Sequence, residues 1–99
     1  DEKTSAPSAS KVDERRAAAE RRAALAPLRK KLETIEARMA KLTEVIGKVD
    51  AALADGTAFL KDAAKATELS KMRAEAAEQL AALEEEWLTL SGEIEEAGA

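Results

Sequence analysis

The sequence predicts an all-α protein, a two-helix antiparallel coiled-coil hairpin with a disordered N-terminal tail. The first observation is composition: 36% of the 99 residues are charged, and Phe59 and Trp87 are the only aromatic residues. A chain dominated by Ala, Glu, Lys, Leu and Arg is typical of long helices and coiled coils. The second observation is that the larger apolar residues recur at spacings of three and four, the signature of a helix that packs along one seam.

The first ten residues form the predicted tail. The stretch "DEKTSAPSAS" has no apolar periodicity and is rich in Ser, Ala, Pro and charge, which is typical of a disordered linker. The hairpin domain is therefore predicted over residues 11–99.

The first helix is predicted over about 11–54. Nine apolar residues follow one another at alternating spacings of three and four along it: Leu25, Leu28, Leu32, Ile35, Met39, Leu42, Ile46, Val49 and Leu53. Such a narrow seam requires a partner helix to bury it. Gly56 is placed to end the helix as a left-handed residue.

The second helix is predicted over about 63–96, after a tip of residues 55–62. Asp62 can cap its free amides at Ala64 or Lys65. Its apolar positions are Leu69, Met72, Ala76, Leu80, Leu83, Trp87, Leu90 and Ile94. Because the tip is short, the two helices should run antiparallel, and Phe59 and Leu60 in the tip are expected to plug the open end of the seam.

Facing residues of an antiparallel pair should have numbers that add to a constant total. Seven pairs satisfy this test, from Leu28 opposite Ile94 to Leu53 opposite Leu69. Val49 opposite Met72 misses the total by one, which predicts a local stutter there.

The same register leaves residues 11–24 without a partner, because Leu25 faces residue 97. Pro27 lies at this joint, where it removes one backbone hydrogen bond and is expected to kink or break the helix at a cost of roughly 3 kcal/mol. We call residues 11–24 the arm.

Charge divides unevenly along the chain. Residues 11–41 hold ten Lys and Arg against five acids, whereas residues 42–99 hold five against thirteen. The candidate phosphate-binding residues are the cations of the arm and the joint: Arg15, Arg16, Arg21, Arg22, Arg29, Lys30 and Lys31. If the helix continues through Pro27, they form a line roughly 20 Å long, suited to sequence-independent nucleic-acid binding. The alternative is that they pair with Asp13, Glu14, Glu20 or the acidic second helix and only keep the arm soluble.

Other function classes find little support. The chain has no His, no Cys and no GxxxxGK[ST] loop, so we expect no catalytic site, no metal site and no cofactor in these residues. No apolar run is long enough to span a bilayer. We expect a cytoplasmic protein that is monomeric as an isolated chain and does not bind membranes.

Three segments together resemble a known family: "APLRKKLETIEARMAKL", the turn "ALADGTAFLKDAAKATELSK" and "LAALEEEWLTLSGEIEE". The chain is similar to the C-terminal extension of ABC-F ATP-binding cassette proteins of the Uup-like kind. Many members have Asp-Pro in the tip, where this chain has Asp55-Gly56 and Asp62-Ala63. The resemblance implies a parent ATPase that uses ATP and Mg²⁺, acts in translation at the ribosome, and carries a coiled-coil module that binds DNA or ribosomal RNA.

The expected function is therefore that of a nucleic-acid-binding coiled-coil module of an ABC-F ATPase. The alternative is a protein-interaction or spacer coiled coil without nucleic-acid contact. The charge asymmetry raises a further possibility: the acidic second helix regulates the arm, either by folding against it or by competing with nucleic acid for it.

Overall fold

Two long helices make up the part of the chain that the structure describes. The structure is a computed structural model; it describes residues 2–56 and 61–98, with side chains from residue 10 onward. Helix α1 spans Glu2–Ala54 and helix α2 spans Ala63–Gly98. Hydrogen bonds join the two helices at Glu36 and Trp87, which are 51 positions apart in sequence, and at Asp50 and Arg73, which are 23 apart. The separation between contacting residues decreases toward the tip, as it does in an antiparallel pair. The predicted all-α hairpin is confirmed.

The molecule is a narrow rod. Its principal extents are 87 × 17 × 15 Å, and a cross-section of that size holds only two helices lying side by side. The length follows from α1, whose 53 residues extend for about 80 Å at 1.5 Å per residue.

Helix α1 begins at Glu2, upstream of the predicted start at residue 11. Adding a residue to an existing helix end is much easier than nucleating a new helix, so α1 can extend into a segment without periodicity. Residues 2–10 precede the arm, and the predicted register ends the pairing with α2 at Leu25. Their disorder in solution stays a prediction.

Helix α1 is continuous through Pro27, so the helix does not break at the joint. The carbonyl of Ala23, which loses its amide partner to the proline ring, belongs to an exposed residue and water can satisfy it. A kink without a break stays a prediction.

A hydrophobic cluster of the core lies between the two seams in the half of the hairpin nearest the arm. Ile35, Leu83 and Leu90 are its buried centre. Around them pack partly buried residues, all from the predicted seams: Leu28, Leu32, Met39, Leu42, Trp87 and Ile94. The predicted seam residues are therefore confirmed in this half.

The half nearest the tip differs from the prediction at one position. Val49 is buried, but Met72, its predicted partner, is 50% exposed. The seam of α2 keeps its regular spacing from Leu69 through Arg73 to Ala76, so Arg73 takes the place opposite Val49 and no stutter is needed. The prediction failed because it admitted only apolar residues to the seam, whereas the long stem of an arginine can lie along apolar surface while its head stays in water.

The helix ends at the tip confirm one prediction and overturn another. The amide of Lys65 donates to Asp62 Oδ1 at 3.1 Å, the predicted N-cap of α2. Gly56 does not adopt a left-handed conformation, since no glycine among the described residues has a positive φ. Asp55 and Gly56 are exposed, so water can satisfy the last carbonyls of α1 without that turn. Phe59 and Leu60, the predicted plug, lie outside the described residues.

Candidate nucleic-acid interface

All seven predicted phosphate-binding residues lie exposed on α1. Since the helix is continuous, the stretch from Arg15 to Lys31 is about 24 Å long at 1.5 Å per residue. Arg15, Arg22 and Arg29 recur every seven residues and therefore share one edge of the helix. Arg15, Arg22 and Arg29 therefore form an extended line along one continuous helix.

Lys31 differs from the other six cations. It lines a shallow groove of about 160 Å³ between the two helices, with Glu86 and Glu93 of α2 on the other wall. Lys31 therefore shares this groove with two carboxylates, whose negative charge opposes a phosphate there. Lys31 is the weakest candidate of the seven.

The alternative interpretation requires ion pairs between the arm and nearby acids. Within the part of the chain whose side chains are described, the ion pairs within 4.0 Å are Lys48 with Glu44 and Arg73 with Asp50. Neither pair includes a residue of the arm or the joint. The exposed guanidinium and ammonium groups there are not neutralised by Asp13, Glu14 or Glu20 in this conformation.

Helix α2 carries the opposite charge over most of its length. After Arg73 the chain contains eight glutamates and no Lys or Arg, and all eight are exposed: Glu75, Glu78, Glu84, Glu85, Glu86, Glu93, Glu95 and Glu96. A phosphate backbone is repelled from this side of the rod. The cations and these glutamates therefore lie on different parts of the rod.

Sequence reasoning missed two contacts that join the helices. Trp87 Nε1 donates to Glu36 Oε2 at 3.0 Å, and Arg73 donates through Nε to Asp50 Oδ1 and through Nη2 to Oδ2, the latter at 3.3 Å. Both donors lie on the seam of α2. The two acceptors are fourteen residues apart on α1 and the two donors are fourteen residues apart on α2, which is two heptads in each case. An unbroken 3–4 spacing from Leu69 through Arg73 to Ala76 is the signal that could have placed Arg73 in the seam.

The contact between Asp50 and Arg73 makes stability sensitive to acid. The hydrogen bond from Arg73, with its positive charge adding to the effect, lowers the pKa of Asp50, and the same contact raises the pKa of Arg73. A carboxyl whose pKa is depressed on folding stabilises the fold above its ordinary pKa of about 4, and this contribution is lost as the pH falls through its lower folded value.

We therefore expect Arg73→Leu to remove this acid sensitivity while keeping or raising the melting temperature at pH 7. Leucine completes the apolar seam opposite Val49, and an ion pair between side chains that are 44% and 48% exposed contributes little to stability at pH 7. Thermal unfolding followed by circular dichroism at pH 7 and pH 3 measures both effects. Arg73→Ala is the control, since it removes the pair without filling the seam and should lower the melting temperature. A lower melting temperature for Arg73→Leu than for Arg73→Ala would contradict the register.

Neither helix, over the residues described, has a stretch apolar and long enough to cross a membrane.

Comparison with known proteins gives one match. No curated protein and no solved structure matches the chain. A family model described as the ABC transporter C-terminal domain matches residues 27–92, from the joint to the acidic end of α2, which is the paired part of the hairpin. The match covers most of the chain and coincides with the segment in which the two seams bury one another. The chain belongs to the ABC transporter C-terminal domain family.

Proposed function

We propose that this hairpin is the nucleic-acid-binding module of an ABC-F ATPase of the Uup-like kind, acting in translation or in other nucleic-acid transactions. The observation that carries the proposal is the line of exposed, unpaired cations on one continuous helix, set against an acidic second helix. The chemistry of ATP hydrolysis, with its Mg²⁺, belongs in this proposal to the cassettes of the parent protein. The hairpin itself contributes binding and not catalysis.

The cations that we propose as phosphate contacts are those named from the sequence: Arg15, Arg16, Arg21, Arg22, Arg29, Lys30 and Lys31. Arginine presents a planar set of donors that matches the oxygens of a phosphate, and lysine acts as a point charge. The described part of the rod offers no exposed aromatic ring for stacking on a base, because the indole of Trp87 is half-buried and bonded to Glu36. Binding should therefore follow the phosphate backbone and depend little on sequence.

The test is a titration of the 99-residue chain against labelled DNA and RNA duplexes at 50 mM and 200 mM salt. Each phosphate that is neutralised adds about −0.9 to the slope of log K against log salt, so about five contacts weaken binding several hundredfold between these concentrations. Binding of either duplex with this steep dependence supports the proposal. No binding at 50 mM salt would overturn it and favour the spacer or protein-interaction role.

A further inference from the structure

The acidic end of α2 carries a large apolar side chain that the fold leaves exposed. Leu88 is 65% exposed, the most exposed of the large apolar residues described. On a helix surface its neighbours are the residues three, four and seven positions away, which include Glu84, Glu85, Glu95 and Gly92. We call the surface formed by Ala81, Glu84, Glu85, Leu88, Gly92, Glu95 and Glu96 the Leu88 strip.

The shape of the strip favours a helix as its occupant. Leu88 has two small residues beside it on the helix surface, Ala81 seven positions before it and Gly92 four positions after it. A Cβ built on Gly92 meets nothing within 4 Å, so the surface beside Leu88 is open. A second helix can therefore approach closely and place small side chains against Leu88 while its cations reach the glutamates on either side.

The arm presents the complementary pattern. Val12 and Ala19 lie seven residues apart, which is the spacing of the ridge from Ala81 through Leu88 to Glu95, and Val12 is 51% exposed. Beside these two residues lie the arm cations Arg15, Arg16 and Arg22. The arm is thus a helix with a small apolar line and flanking positive charge, and the strip has one apolar anchor and flanking negative charge.

The two surfaces cannot meet within one chain. Helix α1 is continuous through Pro27, so the arm points away from the end of α2 and does not fold back on it. The possibility that α2 covers the arm of its own chain is therefore not realised in this conformation. A second copy has no such restriction, and a two-fold arrangement of two hairpins, base to base, lets each arm reach the strip of the other.

We propose that the Leu88 strip binds the arm of a second copy of this chain, and that this reciprocal dimer competes with nucleic acid for the arm cations. The second part rests on the proposed function, and the first part does not. The interface consists mainly of exposed charges around one leucine, so the dimer is weak and forms at low salt. Bound nucleic acid displaces the strip, because it presents a denser row of negative charge to the same cations.

Sedimentation equilibrium of the full 99-residue chain over a concentration series at 50 mM and 500 mM salt tests the dimer without any nucleic acid. We expect a monomer–dimer equilibrium at 50 mM salt and monomer at 500 mM. The double variant Glu84→Lys/Glu85→Lys should raise the dissociation constant of the dimer about tenfold or more, since it places like charges opposite each other. Leu88→Ser should weaken the dimer as well.

Met72→Ser is the matched control, because Met72 is also half exposed on α2 but lies outside the strip. It should leave the dimer unchanged. A monomer at every concentration at 50 mM salt, or a dimer that Met72→Ser weakens as much as Leu88→Ser does, overturns the proposal.

The same variants separate this proposal from the proposed function. Glu84→Lys/Glu85→Lys keeps all seven candidate cations, so its affinity for a DNA duplex should equal or exceed that of the parent chain at a concentration where the parent dimerises. If the parent chain dimerises but binds no duplex, the proposed function fails and the dimer stands. If the parent chain binds duplex as a monomer and never dimerises, the dimer proposal fails and the proposed function stands.

Discussion

The double variant Arg22→Glu/Arg29→Glu should bind a DNA or RNA duplex at least about a hundredfold more weakly than the parent chain at 50 mM salt. Each substitution removes one phosphate contact and places a repelling carboxylate in its position. The two residues lie seven positions apart on the same edge of α1, on either side of the joint at Pro27, so one variant disrupts the centre of the cationic line. The slope of log K against log salt should become shallower by about two.

The matched control is Lys48→Glu/Lys71→Glu, which changes the net charge by the same amount. Both lysines are exposed and lie toward the tip, and Lys48 is engaged with Glu44 at 3.1 Å. This control should lose much less affinity. Equal losses in the two variants would mean that only the total charge of the rod matters and that the arm is not the binding site.

The second large effect concerns the seam. Leu83→Ala should lower the free energy of unfolding by roughly 2–5 kcal/mol, because Leu83 is 5% exposed and its removal leaves a cavity beside Ile35 in the core. Leu88→Ala is the control on the same helix. At 65% exposure it should change stability by no more than about 0.5 kcal/mol.

Urea unfolding followed by circular dichroism measures both variants, and 500 mM salt removes any contribution from association through the Leu88 strip. Similar losses for the two leucines would contradict the assigned faces of α2. A loss at Leu88 alone would place the seam on the opposite side of the helix.

The seams were predictable because a heptad pattern indicates both a helix and the face of that helix that is buried. A regular alternation of three and four residues on two segments, joined by a short tip, leaves little choice of fold, and the cap at Asp62 followed from a residue type with one strong preference. The seam position of Arg73 was missed because the aliphatic stem of the side chain, and not its charged head, occupies the seam.

The contact between Trp87 and Glu36 could not be predicted, since it depends on the rotamers of two side chains at neighbouring seam positions. Helix α1 begins at Glu2, upstream of the predicted start near residue 11. Residues 2–10 have no apolar periodicity, and the helix extends through them as a continuation of the segment downstream.

The candidate site could be named from the sequence but not evaluated. Charge counting identified the seven cations, and only the positions of side chains distinguish Lys31, which shares a groove with Glu86 and Glu93, from Arg22 and Arg29, which do not line it. The continuity of α1 through Pro27 shows that the arm points away from the acidic helix of its own chain in this conformation.

The most direct test of the account is an NMR titration of the ¹⁵N-labelled chain with a short DNA or RNA duplex at 200 mM salt, at a chain concentration below that at which the dimer forms. We predict that the backbone amides of residues 11–31 shift and broaden, while those of residues 84–96 stay in place. Shifts centred on residues 84–96 or on the tip, with the arm unaffected, would contradict it.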